Sequence, residues 1–251
     1  MNVIHIALGL VLSLAIVLTG VGGGTLTTPA LILLGLPPIE AVGTAMIFAA
    51  LTKLVATPMY LARKQVNFSV LGSMLLGAVP GLMAGAWVLH WSSGTERNGL
   101  VLLLVGIVIG VSAILNLLRE GFGPVLIPFK LRRWVPYASF PIGVEMAVSA
   151  SGAGTLGTLL LLNIPALEAV EVVATNVVFG FVLSVLGAGL HLTWSGVDMR
   201  VLSALIAGGI PGAFLGAAML PKAPKRALRV VISALLVGVS VQLIVTSLQH
   251  S

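Results

Sequence analysis

Two glycine-rich breaks and two isolated charges are the residues of this chain whose types and spacing fit chemistry. Gly22-Gly23-Gly24-Thr25 and Gly152-Ala153-Gly154-Thr155 each interrupt an apolar run and open a short apolar piece that reads as a half-length helix. The half-helices are expected to begin at Thr25 and Thr155. A helix N-terminus presents unpaired N–H groups and about half a positive charge. It therefore binds an anion without a charged side chain. Glycine lets the backbone approach a ligand closely, and the threonine hydroxyls can cap the helix or donate to the ligand. Two such termini facing each other make an anion cradle. The plainer alternative is that the glycines only permit tight packing.

Lys53 and Glu145 are the two charges deep in apolar runs. Charge in such a place is costly and usually functional. Lys53 can neutralise an anion. Glu145, six residues before Ser151, can carry a proton or pair with Lys53. Thr44, Thr175 and Asn176 lie early in long apolar runs. They can donate to an oxyanion or serve as hydrogen bonds between helices. The expected substrate set is Gly22, Gly23, Gly24, Thr25, Thr44, Lys53, Gly152, Ala153, Gly154, Thr155, Thr175 and Asn176. Glu145 is expected to couple transport to protons.

These residues need a scaffold, and composition says which kind. Of 251 residues, 58% are hydrophobic and 8% charged, against about 25% charged in a soluble domain. Mean hydropathy is +1.16. So few charges cannot cover a water-soluble surface, which excludes a cytosolic enzyme, a secreted domain and a nucleic-acid-binding module. An all-α polytopic membrane protein remains. The pI of 10.3 reflects basic residues in the gaps between apolar runs, where topology signals sit. No cysteine is present, so disulfides and thiolate metal sites are excluded. No His pair has metal-ligand spacing, and no metal or cofactor is expected. The first 20 residues lack a basic start and an A-x-A-like cleavage site, so they are expected to stay in the mature protein.

The apolar runs repeat. The first set covers 3–18, a break at 20–24, a short piece 25–35, and long runs 40–62, 68–91 and 98–118. After a polar stretch at 119–133 the pattern restarts: 134–150, a break at 151–154, 155–164, and long runs 167–193, 199–220 and 227–248. Pro37-Pro38-Ile39-Glu40-Ala41-Val42 matches Pro165-Ala166-Leu167-Glu168-Ala169-Val170, Thr44 and Phe48 match Thr175 and Phe179, and Val79-Pro80-Gly81 matches Ile210-Pro211-Gly212. The organisation is a first transmembrane repeat at 1–118, a basic linker at 119–133 and a second repeat at 134–251. Glu40 and Glu168 read as helix-start acids that favour the dipole.

A spanning helix needs about 20 apolar residues, so 25–35 and 155–164 are too short to cross. Each is expected to form a re-entrant hairpin with the helix before it, followed by three transmembrane helices. Three is odd, so the second repeat is inverted. Charge agrees. Loop 62–67 carries Arg63 and Lys64, whereas its counterpart 193–200 carries Asp198 and Arg200. Loop 91–98 carries Glu96 and Arg97, whereas 221–229 carries Lys222, Lys225, Arg226 and Arg229. With Arg119, Lys130, Arg132 and Arg133 of the linker, ten of the 13 Lys+Arg fall on one side, which the positive-inside rule makes cytoplasmic. Both termini are then outside. Trp87, Trp91, Trp134 and Trp194 fit an interfacial belt. Inverted repeats with paired broken helices are the layout of a secondary transporter with its site near the midplane.

Two other readings compete. A passive anion channel shares every feature above. An intramembrane hydrolase would use Ser149-Ala150-Ser151-Gly152 with His191 as base. However, the glycine two residues before the serine is missing, and Val21 replaces Ser151 in the first repeat.

Gly20-Val21-Gly22-Gly23-Gly24-Thr25-Leu26-Thr27-Thr28-Pro29, followed by Leu34-Gly35-Leu36-Pro37-Pro38-Ile39-Glu40-Ala41-Val42-Gly43-Thr44, resembles the signature of the sulfite exporter TauE/SafE family, also called the toluenesulfonate uptake permease family. Pro80-Gly81 with Gly85, and Pro211-Gly212 with Gly216, are similar to its later helices. The resemblance covers nearly the whole chain. It implies transport of a small sulfur-containing anion, such as sulfite, thiosulfate or a sulfonate, across the bacterial cytoplasmic membrane, most often as export. The second half departs from the family pattern: Ser151-Gly152-Ala153-Gly154 replaces a full glycine triplet, and three extra residues near Glu171-Val172-Val173 precede Ala174-Thr175.

Overall fold

A computed structural model describes residues 3–19, 23–91, 98–122, 132–151, 153–164, 167–194, 196–219 and 225–249. These form ten α-helices and a short 3-10 turn at Arg132–Trp134. The first five helices are α1 (Val3–Thr19), α2 (Gly23–Leu33), α3 (Pro38–Ala62), α4 (Phe68–Trp91) and α5 (Asn98–Phe122). The second five are α6 (Val135–Ser149), α7 (Thr155–Leu162), α8 (Ala169–Trp194), α9 (Met199–Met219) and α10 (Lys225–Gln249). Segments in α4, α5, α8, α9 and α10 are long and apolar enough to cross a membrane. Helix α3, at 25 residues, matches them in length.

The short helices are as short as their apolar pieces. At about 1.5 Å per residue, α2 is ~16 Å long and α7 ~12 Å, roughly half of a ~30 Å hydrocarbon core. Helices α1 and α6 reach ~25 and ~22 Å. Local chemistry sets several ends. Pro38 occupies the first turn of α3, where its missing N–H costs nothing. Asp198 Oδ1 accepts the N–H groups of Arg200 and Val201 at 2.8 and 3.0 Å and caps α9. At α8 the capping acid is Glu171, whose carboxylate accepts the Glu168 N–H at 3.1 Å. Glu168 itself is the N-cap, its carbonyl accepting the Val172 N–H at 2.9 Å, so two acids share the start of α8.

Helix α1 packs on α9, α6 on α4, α3 on α8 and α5 on α10. Exchanging each helix with the one five places along the chain maps these pairs onto themselves. Helix directions follow from the close approaches. Gly43 lies against His191, Gly187 against Met46, and Gly180 against Lys53, so α3 and α8 run antiparallel. Gly106 meets Leu243 and Ile244 while Gly110 meets Ser240, so α5 and α10 are antiparallel too. Helix α1 runs parallel to α9, and α4 parallel to α6. In each parallel pair glycines form the seam: a Cβ at Gly208 or Gly212 would strike the Ile6 or Leu10 carbonyl, and one at Gly77 or Gly81 the Pro136 or Phe140 carbonyl. Close main-chain packing of this kind replaces the hydrophobic drive that lipid removes.

Side chains sort accordingly. Large apolar residues such as Leu76 and Phe214 are 73% and 71% exposed, as lipid-facing residues should be. Trp87, Trp91, Trp134 and Trp194 are also exposed. Inside, polar side chains accumulate: Ser13, Thr25, Thr44, Ser139, Ser149, Thr175 and Ser184 are fully buried.

Candidate substrate and coupling site

The two breaks meet. Helix α2 begins at Gly23, two residues before the expected Thr25, so Gly23 and Gly24 form its first turn. A glycine start is retained because the first turn faces backbone. A Cβ at Gly24 would collide with the Ala150 main chain, and one at Gly23 would come within 3.2 Å of Ala49 Cα. Helix α7 begins at Thr155 as expected. Gly22, Gly152 and the Thr155 side chain lie outside the described residues.

Helix α6 ends at the meeting point, and other helices hold its free carbonyls. Its C-cap, Ala150, has φ 60° and ψ 12°, a left-handed conformation that strains a residue with a Cβ by about 1 kcal/mol. The Ala147 carbonyl accepts from His191 Nε2 on α8 at 3.3 Å, and the Ser149 carbonyl accepts from Thr28 Oγ1 on α2 at 2.9 Å. A helix end inside a membrane protein needs such partners, because lipid supplies none. His191 is thus a buried tie between α8 and the end of α6.

Lys53 reaches this place from α3. Its Nζ donates to Ser184 Oγ on α8 at 3.3 Å, and Ser184 in turn donates to the Gly180 carbonyl at 2.6 Å. A methyl group placed on Gly180 would meet both Lys53 Nζ, at 2.8 Å, and the Ala153 Cβ, at 2.9 Å. Lys53 therefore lies beside the second break. The structure brings together Gly23, Gly24, Lys53 and Ala153, with Thr25 and Gly154 next in the chain to them. Thr25 caps nothing; its buried hydroxyl has no protein partner among the described residues.

Of the other predicted polar residues, Thr44 and Thr175 lie apart, whereas Asn176 stands against the first turn of α7, at the second break. Thr175 Oγ1 accepts the Asn67 N–H at 3.0 Å. Asn176 Nδ2 donates to Thr158 Oγ1 on α7 at 2.9 Å, and Thr158 in turn donates to the Gly154 carbonyl at 2.7 Å; the Asn176 Oδ1 has no partner among the described residues. Both make the bonds between elements that were the alternative to ligand binding. Thr44 has a buried hydroxyl with no partner among the described residues, nine residues along α3 from Lys53, roughly 13 Å at helical rise.

Glu145 on α6 does not pair with Lys53 among the described residues. Its Oε1 accepts from Ser112 Oγ on α5 and from Ser151 Oγ, the latter at 3.0 Å. Its Oε2 has no partner among the described residues. Ser151 Oγ is 2.5 Å from Ser149 Oγ, which also reaches the Glu145 carbonyl at 3.0 Å. The serines considered as a nucleophile are therefore held by Glu145 and by each other, and His191 contacts a carbonyl instead. Sequence reasoning missed Ser112 and Ser184. A signal for Ser112 existed: Gly110-Val111-Ser112 recurs as Gly238-Val239-Ser240 in α10.

A multi-pass helical membrane protein with broken helices meeting around buried polar groups is the architecture of a transporter. A family model described as "Sulfite exporter TauE/SafE" matches residues 5–243, and the chain belongs to that family. It is similar to the "Probable membrane transporter protein YjnA" of Bacillus subtilis (strain 168), with 27% identity over 97% of this chain and 100% of that protein. It is also similar to the "Probable membrane transporter protein YunE" of the same organism, with 26% identity over 96% and 97% of the two chains. No solved structure matches.

Proposed function

We propose that this transporter exports a small sulfur-containing anion, such as sulfite or an organosulfonate, across the bacterial cytoplasmic membrane. The anion binds between the two breaks, at Gly22–Thr25 and Gly152–Thr155. The observation that carries this reading is the contact of the breaks, Gly24 on Ala150, with Lys53 beside Ala153. Two helix N-termini and one ammonium then converge on one place, and together they compensate an anion in a low-dielectric interior.

The two halves, 1–118 and 134–251, act as inverted repeats joined by the basic linker. Helices that are counterparts in the two repeats meet antiparallel, α3 with α8 and α5 with α10, which supports a two-fold axis in the membrane plane. One repeat rocking on the other gives alternating access, with the basic loops cytoplasmic and both termini outside. Glu145 carries the coupling proton.

The test is a binding titration of purified protein with sulfite, sulfate, thiosulfate, sulfoacetate, taurine and chloride. Saturable binding of a sulfur anion that is at least tenfold tighter than chloride is expected. Equal or absent binding across the panel would sink the reading.

A further inference from the structure

Glu145 is joined to the second break by hydroxyls alone. Ser151 opens that break, donates to Glu145 Oε1 at 3.0 Å and stands 2.5 Å from Ser149 Oγ. Glu145 is 5% exposed, and its Oε2 has no partner among the described residues. A serine hydroxyl has a single proton and points it one way at a time. The state of Glu145 therefore sets what Ser151 offers to the break.

We propose that the hydrogen bond between Glu145 and Ser151 makes proton binding and anion binding at the second break mutually favourable. The proposal rests on the reading of the second break as part of the anion site. With Glu145 ionised, Ser151 commits its O–H to Oε1 and turns lone pairs towards the break. Those lone pairs and the nearby carboxylate both repel an anion. When the carboxylate gains a proton it becomes a donor. It gives its O–H to Ser151 Oγ, and the Ser151 O–H swings to the anion. One proton is gained by the carboxylate, the hydroxyls only rotate, and no bond to either serine breaks. Linkage is reciprocal, so a bound anion draws a proton onto Glu145 by the same factor. Ser112 is a positioning residue that holds Oε1 on the Ser151 side.

The titratable groups of the elements packed on α6 are placed elsewhere. His191 is held on the Ala147 carbonyl and Lys53 on Ser184, and His90 lies against the Trp194 ring. Glu40 and Glu171 stand in the first turns of α3 and α8, Arg119 and Glu120 in the last turn of α5, and Arg132 and Arg133 in the 3-10 turn before α6. Helices α2 and α7 have none.

The test uses thiosulfate and sulfoacetate, which stay ionised near neutral pH and carry no proton of their own. Purified protein in weak buffer with a pH dye should take up close to one proton per anion bound. Its affinity should fall about tenfold per pH unit wherever the carboxyl is ionised. In E145Q, affinity should no longer vary with pH and no proton should be taken up. S151A should lower the proton uptake, and S151T should restore it; that pair keeps the proposal falsifiable if E145Q does not fold. Proton release, undiminished uptake in E145Q or S151A, or a requirement for sodium over choline would each overturn it. If both anions bind with no proton movement, only this proposal fails. If neither binds, the anion site itself fails and takes the proposal with it.

Discussion

Lys53 and Ser184 occupy the same position in their two halves, five residues after Phe48 and Phe179, and the Lys53 ammonium donates to the Ser184 hydroxyl across 3.3 Å. Where antiparallel counterparts cross, a residue meets its own equivalent. This chain places a cation on one side of that crossing and a hydroxyl on the other. A single charge is thus shared between the halves at the place where the breaks converge.

Lys53→Ala should therefore weaken binding of the transported anion by tenfold or more, about 1.4 kcal/mol. Its effect on thermal stability should be small, because the lost bond is one ammonium–hydroxyl contact. Calorimetric titration beside a melting curve separates the two effects; unchanged affinity would remove Lys53 from the site.

Gly24→Ala should push α2 away from Ala150, because the added methyl has only the main chain to meet. Overpacking of this kind costs about 1–3 kcal/mol, and anion flux should fall by about an order of magnitude. Gly72→Ala on α4 is the control. Nothing lies within 4 Å of its Cβ position, and alanine is the better helix former by up to ~1 kcal/mol, so stability should hold or rise with flux retained.

Thr25→Val and Thr175→Val should part company. The Thr25 hydroxyl is buried with no protein partner among the described residues, so removing it should leave stability unchanged or raised by up to ~1 kcal/mol while anion affinity drops. Thr175 accepts the Asn67 N–H, so its loss should cost about 1 kcal/mol or more of stability with affinity retained. Denaturation and binding measured on the same preparations would check both; equal behaviour of the two variants would contradict the assignment.

Orientation has a clean assay because the chain lacks cysteine. Single-cysteine variants Arg63→Cys and Ala227→Cys should react with an impermeant maleimide only when the cytoplasmic face is open to it. Arg200→Cys should react from the opposite face. Labelling of all three from one side would contradict the inverted arrangement.

Much of this fold was legible in the sequence because polar and glycine punctuation in a membrane protein marks helix ends directly. The long helices begin and end within a few residues of the apolar runs, from α4 at Phe68–Trp91 to α10 at Lys225–Gln249. The start of α2 was misplaced because Gly23 and Gly24 read as a turn. They are helical because their bare surface lies on Ala49 and Ala150, which no local pattern reveals. The site was half legible. Lys53 and Glu145 stood out as charges in apolar surroundings, but their partners come from α8 and α5, and only repeat register marks them: Ser184 as the counterpart of Lys53, and Ser112 by the Gly-Val-Ser that recurs in α10. Thr44 and Thr175 share a repeat position, yet antiparallel crossing sends them to opposite ends of the α3–α8 pair: Thr44 follows Gly43, which lies against His191, and Thr175 bonds Asn67.

The most direct test of the central claim is flux into proteoliposomes of the purified protein. Sulfite, thiosulfate, sulfoacetate, sulfate, taurine and chloride would be compared with wild-type protein and with Lys53→Ala. Saturable flux of one sulfur anion, at least tenfold above chloride and depressed in Lys53→Ala, is the predicted result. A non-saturating leak of all the anions, indifferent to Lys53, would contradict it and make the protein a passive pore.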